Sequence, residues 1–207
     1  MSIADPSTLQ VRELRRDELP SAVGVLAGGM LDNPLHVAAF GANPDRRLRG
    51  LQRMFGALFR VMGAQRPLCA VDGDTIVGAT GDAPPGTCRP TTGQRLRFLP
   101  SVVAAGPRAT GRVGKWLAAW AEHDPDEPHS HLGPLAVDAH LQGRGIGSLI
   151  MAAYTRRLDR EGILGYLETD KPENVPFYEK HGFVVIGESP VIGVPNWFMR
   201  REPPAQS

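Results

Sequence analysis

Cysteine is scarce in this chain: Cys69 and Cys88 are the only two among 207 residues. Two thiols are too few for a disulfide framework and stand without metal-ligand spacing, so a reducing, cytoplasmic setting without a metal is expected. Charge of one sign is equally scarce. The 23 Lys and Arg against 22 Asp and Glu leave a formal net charge of +1. No overall field then draws the protein to nucleic acid or an anionic membrane, and an anion must be met by a local array of donors. Nowhere do about 18 apolar residues follow one another, and the opening MSIADPSTLQVREL lacks a basic segment followed by an apolar one. Neither a membrane span nor an export signal is expected. With 42% hydrophobic and 22% charged residues, a disordered or collagen-like chain is excluded. These limits point to one domain over residues 1–207, a monomer or homodimer whose partner is a small molecule.

What the sequence does have is punctuation, with 24 glycines and 19 prolines. TLQVREL (Thr8 to Leu14) alternates as a strand does, and RRDELPSAVGVLAGGML then takes helical spacing with Asp17 as the expected N-cap. A second helix is predicted from Pro44 or Asp45, with Leu48, Leu51, Phe55, Leu58 and Met62 forming a core stripe. PLCAVDGDTIVGATGDAP reads as a hairpin turned at DGD, and PPGTCRPTTGQ as a loop. Two helices, Gln94 to Ala105 and Pro107 to His123, follow as an insert over about 92–123; Trp116 and Trp120 share a face of the second and are read as core or pocket wall. Beyond it, HSHLGPLAV, ILGYLETD, FVVIGES and VPNWFMRRE read as strands. GIGSLIMAAYTRRLDREG and PENVPFYEKHG read as helices stopped by Gly162 and Gly182. The alternation implies an α/β (α+β) sheet with a right-handed crossover.

The stretch QGRGIGSL, Gln142 to Leu149, sets glycines on alternate positions immediately before an apolar helix. Unpaired N–H groups and the positive end of the helix dipole make such a loop an anion site, and glycine lets the backbone approach a phosphate closely. Gln142 and Arg144 could add side-chain donors. A dinucleotide fingerprint needs a sixth-position glycine, where this chain has Ser148; a nucleotide P-loop needs Lys before Ser or Thr, and Gly147 is followed by Ser148 directly. Both readings are poor.

A third pattern fits. QGRGIG matches the Q/R-x-x-G-x-G/A signature of the GNAT superfamily of acyl-CoA-dependent N-acyltransferases, and YLETDKPENVPFYEKHGFVVIGE resembles its second signature. Within the superfamily the second segment, the length and the helical insert most resemble puromycin N-acetyltransferase and its relatives. The resemblance is strong over about Leu132 to Glu188; the first 125 residues agree in layout only. It implies a mixed, mostly antiparallel central sheet flanked by helices and splayed between the fourth and fifth strands. It implies acetyl-CoA as cosubstrate. The amides of Gly143, Arg144, Gly145, Ile146, Gly147 and Ser148, with the Gln142 and Arg144 side chains, would hold the pyrophosphate. The backbone of Leu135, Ala136 and Val137 would pair with the pantetheine arm, and Asn174 would contact the cofactor.

The resemblance also gives Tyr178 as the acid that protonates the departing CoA thiolate. A phenol with a reference pKa of about 10 keeps its proton at neutral pH and suits a thiol near 8.5. For the base that takes the amine's proton, His131 stands eleven residues before Gln142, where some protein-acetylating members carry a glutamate; Glu168 is the second candidate, and His129 lies further off. Cys69 reads as core. Cys88 beside Arg89 raises an acetyl-cysteine route but has no histidine near in sequence, so direct attack is expected. Asp32 is a candidate to meet a substrate ammonium, while Asp before Asn33-Pro34 also reads as a helix stop. The expected activity is acetylation of a primary amine of a small molecule, an antibiotic among the candidates. Protein lysine or N-terminal acetylation and a non-catalytic acyl-CoA-binding module are the alternatives.

Overall fold

In a computed structural model that describes residues 9–61 and 66–204, seven strands form one sheet in the order β1-β2-β3-β4-β5-β7-β6. The strands are β1 (Gln10–Glu13), β2 (Leu68–Asp72), β3 (Thr75–Ala83), β4 (His129–Val137), β5 (Leu164–Thr169), β6 (Val184–Val191) and β7 (Val194–Arg201). Every pairing is antiparallel except β4 with β5. That parallel pair needs a crossover, which α6 (Ile146–Glu161) supplies. The mixed, mostly antiparallel sheet expected from the sequence is therefore the one observed.

Helices cover both faces, which is why the central strands read as runs of buried residues rather than a clean alternation. On β2, Cys69 and Val71 face a core built with α1 (Leu19–Gly29), α2 (Pro34–Phe40) and α3 (Pro44–Val61), while Leu68 and Ala70 face α6. The helices α4 (Thr92–Val103) and α5 (Pro107–His123) form the insert between β3 and β4, and α7 (Val175–Glu179) follows β5. Thr91 starts α4 with its hydroxyl accepting from the Gln94 amide. Cys69 is core, as expected, and the Leu48–Phe55 stripe faces inward; Thr8 and Met62 lie outside the described residues.

Two local expectations are corrected. Asp17 caps nothing: it lies inside a 3-10 turn, Arg16–Glu18, where the Glu18 carboxylate accepts from the Arg15 amide and pairs with Arg12 at 2.6 Å. Asn33-Pro34, read as a helix stop, instead begins α2, since proline suits the first turn of a helix. Asp32 is held at 2.7 Å by the buried Arg47, which also donates to the Leu31 and Gly41 carbonyls. That pair braces the α2 connection, while the Asp32 side chain itself is 82% exposed.

The α1 helix reaches β4 through a glycine. A Cβ at Gly29 would lie 2.4 Å from the Val137 carbonyl oxygen and 2.9 Å from the Ala136 Cβ, so α1 must retreat to admit it. Gly29→Ala is expected to destabilise the fold by about 1–3 kcal/mol, as overpacking against backbone does. Gly28→Ala, whose Cβ meets nothing within 4 Å, is expected to be neutral or slightly stabilising by helix propensity. Denaturant midpoints that are equal for the two variants would contradict this packing.

Candidate active site

The β4–β5 ladder lasts only from His129↔Leu164 to His131↔Tyr166, after which the strands part. Leu135, Ala136 and Val137 remain paired to β3 on one side, opposite Thr80, Ala79 and Gly78. Their other edge has no strand against it. Pro134, without an N–H, sits where the pairing ends. A cavity of about 1150 Å³ opens at this splay. Of the residues picked out in the sequence for the cosubstrate and the chemistry, Arg144, His129 and Asp32 do not line it; the others do.

At one end of the cavity is the glycine loop. Gly143 and Gly145 have φ of 76° and 82°, a left-handed backbone that favours glycine, and they turn the chain into α6. No side chain caps the first turn of α6, so its amides point out of the helix end. Gln142 is placed differently from expectation. Its Nε2 donates to the Gly29 and Val137 carbonyls at 3.1 and 3.2 Å, tying α1, β4 and the loop together. Arg144 is half-buried and makes no ion pair among the described residues.

Tyr178 stands on α7 with its ring against Phe177 and Phe183, and its side chain lines the cavity. Burial, with a smaller push from Asp170, raises its phenol above the ordinary value, so the proton is firmly held. Asn174 donates to the Thr169 hydroxyl at 3.2 Å, fixing the turn that leads into α7. Asp170 is occupied on the other side, accepting from the Leu35 amide at 2.7 Å and from Asn33 at 3.2 Å. It anchors the start of α2 to the end of β5.

His131 and Glu168, rival candidates along the sequence, are partners in space. His131 Nε2 lies 2.7 Å from Glu168 Oε2. The second carboxylate oxygen, Glu168 Oε1, is buried without a hydrogen-bond partner among the described residues, on a side chain only 1% exposed. An unpaired buried carboxylate oxygen is costly unless something supplies a donor. The same cavity has apolar walls that include Met54, Phe55, Phe98, Val113, Trp116 and Trp120. Trp116 and Trp120 meet edge to face at 5.1 Å, and Trp120 donates to Asn196 at 3.1 Å. The pocket-wall reading of the two tryptophans agrees with this placement.

One cluster escaped sequence reading. Cys88, His129, His131 and Asp124 converge beside Glu168: Asp124 Oδ1 is 3.1 Å from His129 Nε2 and 3.3 Å from His131 Nδ1. Cys88 had seemed to lack a histidine, yet two lie beside its sulfur. Burial alone would raise the Cys88 thiol, but hydrogen bonds from His129 and His131 bring it down to about 7. Burial likewise opposes the charge on His129, and Asp124 and Cys88 overcome it, raising the imidazole to about 10. The one available signal was the spacing His129-x-His131, which on a strand puts both rings on one face. Asp124, at the foot of the insert, carried no signal.

A splayed mixed sheet with a glycine-lined helix start at its mouth and a tyrosine opposite is the architecture of an acyl-CoA-dependent acyltransferase. Residues 44–183 match the Acetyltransferase (GNAT) family model, and this chain belongs to that family. Solved structures share the fold. One, described as a histone acetyltransferase HPA2 and related acetyltransferase from Corynebacterium glutamicum, superposes with a TM-score of 0.73 at 22% identity over 97% of this chain and 98% of that one. A Drosophila melanogaster polyamine N-acetyltransferase that forms N-acetylagmatine gives 0.66 at 15% identity, covering 94% and 99%. A GNAT family acetyltransferase from Brucella melitensis in complex with acetyl-CoA gives 0.55 at 14%, covering 96% and 90%.

Proposed function

We propose that this chain transfers the acetyl group of acetyl-CoA directly to the primary amine of a small molecule with an apolar, aromatic body. The observation that carries the reading is Glu168 Oε1, a buried oxygen without a partner among the described residues, on a side chain that lines a largely apolar cavity. A substrate ammonium seated there would supply the missing donor and then give up its proton to the carboxylate, freeing the lone pair for attack. His131, bonded to the other oxygen, positions Glu168. The sequence candidates for the base thus act as one pair.

The cosubstrate fits the opposite end. The open edge of Leu135–Val137 offers backbone groups to the two amides of a pantetheine arm, as an added strand would use them. The uncapped amides of Gly143 to Ser148, with Arg144, suit a pyrophosphate. The Cβ directions at Gly143 and Gly145 meet nothing within 4 Å, so the loop presents clear space rather than packed atoms. Tyr178 is the proton donor to the leaving sulfur. A Gly145→Val variant, strained at φ of 82°, is expected to bind acetyl-CoA about tenfold more weakly, since a left-handed non-glycine residue costs roughly 1–2 kcal/mol. Unchanged affinity by calorimetry would remove the loop from the cosubstrate site.

The acceptor class follows from what the cavity can pair. Of its three acidic side chains, Asp124 faces histidines and Asp170 is taken by α2, which leaves Glu168 Oε1 for one ammonium. That arrangement supports a monoamine over a polyamine, and the resemblance of Tyr166 to Phe183 to puromycin N-acetyltransferases supports an aromatic body, as in an amine-bearing antibiotic. Thiol release from acetyl-CoA is the test, measured with aromatic monoamines, agmatine and spermidine, and lysine or N-terminal peptides. Fastest release with the aromatic monoamines is expected. Release with peptides alone, a preference for polyamines, or tight CoA binding with no release for any amine would overturn the reading.

A further inference from the structure

The cluster at the foot of the insert has donor atoms of a kind that the acetyl transfer just described does not require. The ligand atoms of Cys88, His129 and His131 all lie within 4.8 Å of one another. Donors around a tetrahedral zinc, at metal distances of about 2.0–2.3 Å, stand somewhat closer than that, so a small inward adjustment of side chains would form the set.

The tautomers matter more than the distances. His129 Nδ1 lies 2.8 Å from the Glu127 carbonyl oxygen, which can only accept, so that nitrogen carries the hydrogen. Its Nε2 faces Asp124 Oδ1, 3.1 Å away. His131 is arranged in the same sense by a different partner: Nε2 donates to Glu168, and Nδ1 faces Asp124 Oδ1 at 3.3 Å. In the charged rings both inward nitrogens donate to Asp124; once those two protons leave, the same atoms present lone pairs beside a thiol. Such a group needs positive charge, supplied either by the two imidazole protons or by a metal ion that displaces them. Outward N–H groups fixed by a carbonyl and a carboxylate are what orients histidines that bind a metal.

We propose that Cys88 Sγ, His129 Nε2 and His131 Nδ1, completed by Asp124, bind one zinc ion. A thiolate, two imidazoles and a carboxylate are borderline-soft donors that suit zinc, and the thiolate and carboxylate together neutralise a divalent ion in a site whose Asp124 and His129 side chains are 7% and 5% exposed. The cluster borders the cavity at Cys88, Asp124 and His131, which gives the ion a path in. On binding, the Cys88 thiol proton and the protons on His129 Nε2 and His131 Nδ1 leave to solvent, while Asp124 is already ionised. The ion would clip the loop after β3 and the end of α5 onto β4, holding His131 where it positions Glu168. The absence of metal-ligand spacing along the chain had pointed away from a metal; the fold supplies the proximity that the sequence does not.

The test uses the full chain, stripped with a chelator and titrated with Co²⁺ and then Zn²⁺. One Co²⁺ per chain is expected, with the strong visible absorption of tetrahedral cobalt and a thiolate charge-transfer band in the near ultraviolet. Zn²⁺ should displace the cobalt and raise the melting temperature. Cys88→Ser should abolish the charge-transfer band and the zinc-dependent rise, while Cys69→Ala, a change at the other thiol, should keep both. Circular dichroism separates loss of binding from loss of fold, and His131→Gln gives a second ligand variant, expected to weaken cobalt binding. A folded wild-type protein that takes up no stoichiometric cobalt, or a charge-transfer band that persists in Cys88→Ser, would overturn the proposal. None of these readouts depends on acetyl transfer.

Discussion

Tyr178→Phe is expected to lower kcat by roughly 10²- to 10⁴-fold, the range for loss of a positioned general acid, with acetyl-CoA affinity essentially unchanged. Phenylalanine keeps the ring contacts with Phe177 and Phe183, so the α7 packing survives and only the hydroxyl is removed. The departing thiolate would otherwise leave unprotonated, with its charge undispersed in a largely apolar cavity. Burial and Asp170 both hold the phenol in its protonated form, so the wild-type group is loaded throughout the physiological pH range. Steady-state kinetics beside a calorimetric titration of acetyl-CoA separate the two effects. A variant with full kcat, or one whose entire loss is in cosubstrate binding, would take Tyr178 out of the acid role.

Glu168→Gln is expected to reduce kcat/KM for the amine by a similar roughly 10²- to 10⁴-fold, again the span of general acid-base catalysis. The amide keeps the shape of the side chain and can still accept from His131 through its oxygen, so the wall of the cavity is retained. What it loses is the negative charge that meets an ammonium and the capacity to take its proton. Acetyl-CoA affinity should not change, because the glycine loop and the open edge of β4 lie at the other end of the cavity. His131→Ala should cost less than Glu168→Gln, since it removes a neighbour that orients the carboxylate rather than the carboxylate itself. Equal activity of Glu168→Gln and the parent would leave the amine site without its base.

How far the sequence could reach follows from how local each feature is. The loop at Gly143 and Gly145 was legible because left-handed glycines and a helix start are settled within a few residues, and Gly162 and Gly182 ended their elements for the same reason. The splay of β4 from β5 came from resemblance, and the short ladder ending at His131↔Tyr166 bears it out. The helix α2 was missed because Asn33-Pro34 serves equally to stop one helix and to start the next; Arg47 and Asp170, distant in sequence, decide between them. Gln142 was legible as a residue of the signature but not in its bonds, which reach back 113 positions to Gly29. The Cys88 cluster lay furthest from view. Its sulfur and His129 are 41 positions apart with the whole insert between them, and no local pattern encodes a contact that the insert creates by folding back.

The central claim, direct transfer from acetyl-CoA to an amine at Glu168, is tested most directly by a mass balance under single-turnover conditions. Enzyme in excess over acetyl-CoA is mixed with an aromatic monoamine, and free CoA, acetylated amine and acetylated protein are quantified together by mass spectrometry. The account predicts one acetylated amine for each CoA released, with no acetyl group on Cys88 at any time. CoA release without a matching amine product, or acetyl-Cys88 that appears first and decays as product forms, would contradict it.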